Sequence, residues 1–163
     1  MLIRKAVSGD LAGTLEIYNY EVENGTATLD LRPKSKEEWR LWMDAHNRDN
    51  HPLYVAEEDG VIAGYASLST YREKEAFRST VELSVYVHPM YRHRGVATAL
   101  LSRIISAAED DADTHMIVSV ITAGNEVSER LHERFGFKYC GTLSEVGFKL
   151  GQYRDVHHYE LRV

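Results

Sequence analysis

The chain has a single cysteine, Cys140, among its 163 residues. An internal disulfide framework is therefore excluded, and the lone thiol is expected to be a small core residue rather than a nucleophile. A basic surplus is also missing. The formal net charge of −6 argues against a general nucleic-acid binder, which normally carries the opposite balance. No apolar run approaches the ~20 residues needed to span a bilayer. Arg4 and Asp10 interrupt the one early apolar stretch, so no signal peptide is expected. Three prolines are too few for a Pro-rich linker, and the chain shows neither an internal repeat nor a low-complexity tract. What is present, 44% hydrophobic and 27% charged residues, is the ordinary mixture of a folded globule. Length and composition together imply one domain over residues 1–163, in a soluble, cytoplasmic protein.

Residues 80–108 organise the rest. Val81, Leu83, Val85 and Val87 alternate as in a strand, and Pro89 ends that run. Arg92, His93, Arg94 and Gly95 follow, and the apolar period then changes to about 3.6 with Val96, Leu100, Leu101, Ile104, Ile105 and Ala108. A short basic, glycine-containing loop between strand and helix gathers free backbone N–H groups at the positive end of the helix dipole. Such a spot suits a phosphate or pyrophosphate. A Walker loop is excluded because the chain has no Gly-Lys-Ser/Thr at the required spacing. The dinucleotide fingerprint is excluded because Gly95 is the only glycine of the three it needs.

The flanking segments supply the remaining elements. Residues 2–7 suit a first strand. Ser8 and Asp10 start a helix striped by Leu11, Leu15, Ile17, Tyr18 and Val22, which Asn24-Gly25 stops. Thr26 to Leu31 is a loop or short strand over a site. Ser35 and Glu38 form a capping-box pair, opening a second helix with Trp39, Trp42, Met43 and His46 on one side. Leu53–Glu57 and Val61–Ser69 flank Asp59-Gly60, a strong hairpin signal. Tyr71–Arg78 is a charged loop. His115–Thr122 is a continuous apolar run, hence a buried strand. Asn125 caps a helix bearing Val127, Leu131 and Phe135 that stops at Gly136. Phe137–Ser144 and Asp155–Val163 complete the sheet. The order β-α-α-β-β-β-α-β-α-β-β predicts an α/β (α+β) fold with a mixed sheet and helices on both faces.

Two motifs narrow the chemistry. Arg92-x-x-Gly95-x-Ala97 opens the central helix, and Asn125-x-x-Ser128 precedes Leu131-His132-Glu133-Arg134-Phe135-Gly136-Phe137. Together they resemble the GNAT superfamily of acyl-CoA-dependent N-acetyltransferases, over nearly the whole chain. Ile17-Tyr18-Asn19, Thr26-Ala27-Thr28, Gly64-Tyr65-Ala66-Ser67, Thr80 to Pro89 and Gly147 to Asp155 are similar to the branch that acetylates phosphinothricin, methionine sulfoximine and methionine sulfone. The resemblance implies a mostly antiparallel sheet with a splayed central strand pair, and acetyl-CoA as co-substrate. Val85, Tyr86 and Val87 would hold the pantetheine arm as an added strand. The N–H groups from His93 through Gly95, Val96 and Ala97 to Thr98 would hold the pyrophosphate, with charge from Arg92 and Arg94. The family often has Gly where Ala97 stands. A backbone N–H of the Val85–Val87 segment could polarise the thioester carbonyl.

The same resemblance assigns the proton transfers. Glu82 matches the branch's base, acting directly or through water. His132 stands where many members carry a tyrosine acid, and an imidazole there could donate to the thiolate or relay a proton. Asn125 and Ser128 would bond the pantetheine or cap their helix, and Arg134 would line the cofactor site. On the acceptor side, Arg72 resembles the loop residue that binds the substrate carboxylate, a task suited to a guanidinium. Lys74 and Arg78 are further basic candidates, and Thr28, Leu29 and Tyr86 would line the pocket. The segment after Gly147 resembles a dimer or lid region from which Lys149 and Tyr153 would reach a neighbouring site, so a homodimer is expected. No histidine has metal-ligand spacing, and no metal is expected. The function implied is direct acetyl transfer to the α-amine of a small amino acid or analogue. The rivals are a peptide or protein N-terminal acetyltransferase and a non-catalytic acyl-CoA-binding module.

Overall fold

The computed structural model describes residues 1–163. Its elements follow the predicted order: β1 (Leu2–Lys5), α1 (Leu11–Asn24), α2 (Lys36–Asp44), β2 (Leu53–Glu58), β3 (Val61–Thr70), β4 (Thr80–Val87), α3 (Val96–Glu109), β5 (Met116–Thr122), α4 (Glu126–Arg134), β6 (Lys138–Lys149) and β7 (Gln152–Arg162). The strands form one seven-stranded sheet in the order β1-β2-β3-β4-β5-β7-β6. Every pairing is antiparallel except β4 with β5. The mixed sheet implied by the element order is therefore present. No helix is long and apolar enough to cross a membrane.

Side-chain alternation along the strands separates two cores. On one face Ala66, Val81, Leu83 and Ile117 meet the stripe of α3, whose Leu100, Leu101 and Ile104 are fully buried. On the other face Val55 and Tyr65 meet Ile17 of α1 and Trp39 of α2. Each fully buried aliphatic side chain contributes about 1.5–3 kcal/mol relative to exposure. The Ser35 capping box is formed, with the Glu38 N–H donating to Ser35 Oγ at 3.1 Å and the Ser35 N–H to Glu38 Oε2 at 2.7 Å. α2 ends at Asp44, so His46 lies beyond it, but its ring still packs against Trp42, tilted at 47° with centroids 4.3 Å apart.

Two expectations need correction. The last hairpin is longer than Phe137–Ser144 and Asp155–Val163: β6 runs to Lys149, Leu150-Gly151 makes the turn, and β7 starts at Gln152. Both turn residues have positive φ, +52° and +75°, as a tight hairpin requires. Register shifts at Tyr139/Gly141 and Leu143/Gly147 break the alternation, so periodicity is lost before the strand ends. The first of those shifts also overturns the expectation for Cys140. The residue sits in the bulge and is exposed, not in the core.

Candidate active site

β4 and β5 pair only from Thr80–Leu83 to Met116–Ser119 and then separate. Beyond that point β4 keeps β3 as a partner as far as Val87, and β5 keeps β7 as far as Thr122. The splay fixes which main-chain groups are free. The His88 N–H donates to Ala63 O at 2.9 Å. By strict alternation Tyr86 also turns toward β3, and Val85 and Val87 turn into the gap. A matching argument from the Ala123 N–H on Asp155 O, 3.0 Å, turns Val120 and Thr122 into it from the other side.

A cavity of about 740 Å³ runs from this gap to the start of α3. Val85, Tyr86, Val87, Arg92, His93, Gly95, Val96, Ala97, Thr98, Asn125, Ser128 and Arg134 all line it. Arg94 does not, and its guanidinium stands over the Tyr91 ring at 5.2 Å. The N–H groups of His93, Arg94 and Gly95 find no protein acceptor, and those of Val96, Ala97 and Thr98 belong to the unpaired first turn of α3. His93 and Gly95 both have positive φ, +62° and +78°, which curls the loop so that its amides converge. A Cβ on Gly95 would meet no protein atom within 4 Å and would project into open space. Arg92 is already engaged. Its guanidinium pairs with Glu21, which is buried and lines the same cavity.

A second cavity of about 240 Å³ adjoins the first, sharing Ala27, Val85, Tyr86, Asn125 and Ser128 with it. Glu82 and His132 line it together with Ser119, Thr28 and Leu29. Glu82 alternates with Val81 and Leu83, so it stands on the sheet face opposite α3. It forms no hydrogen bond or ion pair with any other side chain, and burial alone pushes its carboxyl above the ordinary range. His132 approaches from the α4 side and is 1% exposed. Its Nδ1 lies 2.7 Å from Ser128 O, so Nδ1 carries the proton and donates it. Burial lowers the imidazole's pKa despite that bond, keeping the ring neutral. Nε2 is then an acceptor, and the Ser119 hydroxyl at 2.9 Å donates to it. Asn125 Oδ1 accepts the Ser128 N–H at 3.3 Å, so its capping role is realised.

The acceptor candidates divide. Thr28, Leu29 and Tyr86 join Glu82 in the second cavity. Arg72, Lys74 and Arg78 line a separate cleft of about 860 Å³ beside Thr80, sharing no residue with the other two cavities. The Arg72 guanidinium lies over the Tyr71 and Phe77 rings, at 5.1 and 5.8 Å. Lys149 does not reach outward. It is 3% exposed, and its Nζ donates to Thr28 O at 2.8 Å and Glu21 O at 3.2 Å within its own chain. Tyr153 is exposed at 66%. No cluster of histidine, cysteine or carboxylate side chains has the geometry to hold a metal.

Two residues that line the cavities were not singled out from the sequence. Ser119 was visible as the one small polar residue in the apolar run Met116–Ile121. Glu21 was visible as a charge four residues after Ile17, on the buried stripe of α1.

Comparison with known proteins agrees with this architecture. Residues 14–137 match the acetyltransferase (GNAT) family. The chain is 37% identical to an L-methionine sulfoximine/L-methionine sulfone acetyltransferase of Salmonella typhimurium, covering 100% of this chain and 95% of that one. A phosphinothricin acetyltransferase from Sinorhizobium meliloti, solved with acetyl-CoA, superposes with a TM-score of 0.94 at 32% identity, covering 99% of this chain and 88% of that one. A ribosomal-protein-alanine N-acetyltransferase from Brucella melitensis superposes with a TM-score of 0.94 at 39% identity over 100% of both chains. The chain belongs to the GNAT family of acetyltransferases.

Proposed function

We propose that this enzyme transfers the acetyl group of acetyl-CoA directly to the α-amine of a small amino acid or analogue of the phosphinothricin, methionine sulfoximine or methionine sulfone type. The observation that carries the reading is an unpaired, half-buried carboxylate, Glu82, in a cavity that adjoins the groove of free amides at an opening in the sheet. The amides of residues 93–98 receive the diphosphate, and the pantetheine amides pair with Val85 and Val87. A main-chain N–H of that segment supports the oxyanion as the thioester carbonyl is attacked. Glu82 takes the proton that the amine nitrogen loses as the C–N bond forms. The C–S bond then breaks and the thiolate takes up a proton. His132 serves as a relay. With Nδ1–H committed to Ser128 O and Nε2 to the Ser119 hydroxyl, the neutral pair passes on a proton only after accepting one.

On this reading Arg72 and Lys74, in the cleft beside Thr80 at the start of β4, are the cations offered to the acceptor's carboxylate. The reaction runs in the cytoplasm, where acetyl-CoA is available, and the enzyme is a homodimer. Free-thiol release from acetyl-CoA across a panel of amino acids should show turnover with ternary-complex kinetics; ping-pong kinetics would contradict direct transfer. Glu82→Gln should lower kcat by roughly 10²–10⁴-fold with little change in acetyl-CoA affinity. Undiminished turnover would remove Glu82 as the base. A second reading, acetylation of a protein N-terminus, is favoured by the likeness to the Brucella melitensis protein. Alanine-initiated peptides in the same panel distinguish the two.

A further inference from the structure

Lys149 is a buried ammonium that the chemistry above leaves without a task. It lies on the inner face of β6 with 3% of its surface exposed, and no carboxylate forms an ion pair with it. Burial lowers its pKa, and the charges of Glu21 and Asp30 only oppose that. Burying an unpaired cation costs free energy unless strong acceptors take its protons. Here the acceptors are main-chain carbonyls more than a hundred residues earlier in the chain, Glu21 O and Thr28 O. Glu21 O already accepts the Gly25 N–H at 3.0 Å as α1 terminates. An ammonium at that spot also compensates the negative end of the helix dipole.

A second contact presses the same strand on the same loop. Gly147, two residues before Lys149 and on the same face, lies against Leu29. A Cβ there would come within 2.8 Å of Leu29 Cδ1. Thr28 and Leu29 line the cavity that holds Glu82. The inner face of the hairpin therefore grips the 26–31 loop at two adjacent points, through one polar and one steric contact.

We infer that Lys149 is a positioning residue for the acceptor side: it ties Thr28 to the end of α1, and with Gly147 it sets how far Leu29 stands from Glu82. This inference rests on the reading of that cavity as the acceptor pocket. It predicts a selective defect. Loss of a charged hydrogen bond to Thr28 O is worth about tenfold in the pocket's occupancy.

The test uses the full-length enzyme carrying Lys149→Met, with methionine sulfone and phosphinothricin as the probes. KM for the amino acid should rise about tenfold, while KM for acetyl-CoA stays near the wild-type value. Amide hydrogen exchange should accelerate in residues 26–31 and not in residues 93–98. Gly147→Ala, which keeps the lysine and pushes on Leu29, should raise the acceptor KM in the same direction; it decides the matter if Lys149→Met fails to fold. Unchanged acceptor KM in a folded variant, or an equal loss for both substrates, overturns the inference. If the wild-type enzyme acetylates neither probe nor any other amino acid, the acceptor reading itself falls, and the positioning role with it. Normal wild-type turnover with unaltered variants sinks the positioning role alone.

Discussion

Glu82 is held on a central strand where no cation reaches it, and that isolation is what a base needs. The cost appears in stability. Burial favours the protonated carboxyl, so the folded chain holds this proton more tightly than the unfolded chain does. Stability is therefore unpenalised below the ordinary value of 4.5 and falls as pH rises from there through the raised folded value. Replacing the carboxylate by an amide removes the penalty. Thermal melts of Glu82→Gln against wild type should show a Tm higher by roughly 1–4 °C at pH 7, shrinking toward zero near pH 4. A difference that grows on acidification would mean the carboxylate is paired and stabilising. His132 makes the complementary case. It could be named from its motif, and Ser128 O, one turn earlier in the same helix, holds its Nδ1 proton, but Ser119, the donor to its Nε2, neighbours it only once α4 lies over β5.

The β4-loop-α3 unit shows how much one element can carry. The change of apolar period at Gly95 marks the turn, and the structure starts α3 at Val96 with Gly95 in the left-handed region. A Cβ at Gly95 would be strained by about 1 kcal/mol there, and would also enter the groove proposed for the diphosphate. Gly95→Ala should therefore weaken acetyl-CoA binding by about tenfold or more in calorimetry while leaving α3 and the melting cooperativity intact. Equal affinity would move the diphosphate away from this turn. Arg92 was equally legible as a cation beside the loop. Its pairing with Glu21 was not, because the ion pair spans α1 and the loop, 71 residues apart.

Across the whole molecule, the β6–β7 hairpin turns two different faces outward and inward. Inward it presents Gly147 and Lys149. Outward it shows Phe148, 57% exposed, against Tyr153, 66% exposed, with ring centroids 5.1 Å apart. Leu143, Val146 and Leu150 are exposed on the same hairpin, and clustered exposed apolar side chains mark association surfaces. In the proposed homodimer this face is covered. Phe148→Lys should shift sedimentation from dimer to monomer at micromolar concentration; a wild-type enzyme that sediments as a monomer removes the dimer.

Local pattern was enough to read the succession of elements, the converging amides ahead of α3, and the acidic residue on the central strand. Each depends on periodicity, capping or spacing within a few residues. The splay of β4 from β5 was implied by the family resemblance, but only the folded molecule showed that it begins after Leu83 and Ser119, and that Lys149 turns inward. Tertiary structure alone decided that Cys140 is exposed at a bulge, and that Arg72 lies in a cleft apart from Glu82. Those outcomes depend on strand register, on bulges that shift it, and on contacts between distant segments, none of which leaves a local period to read.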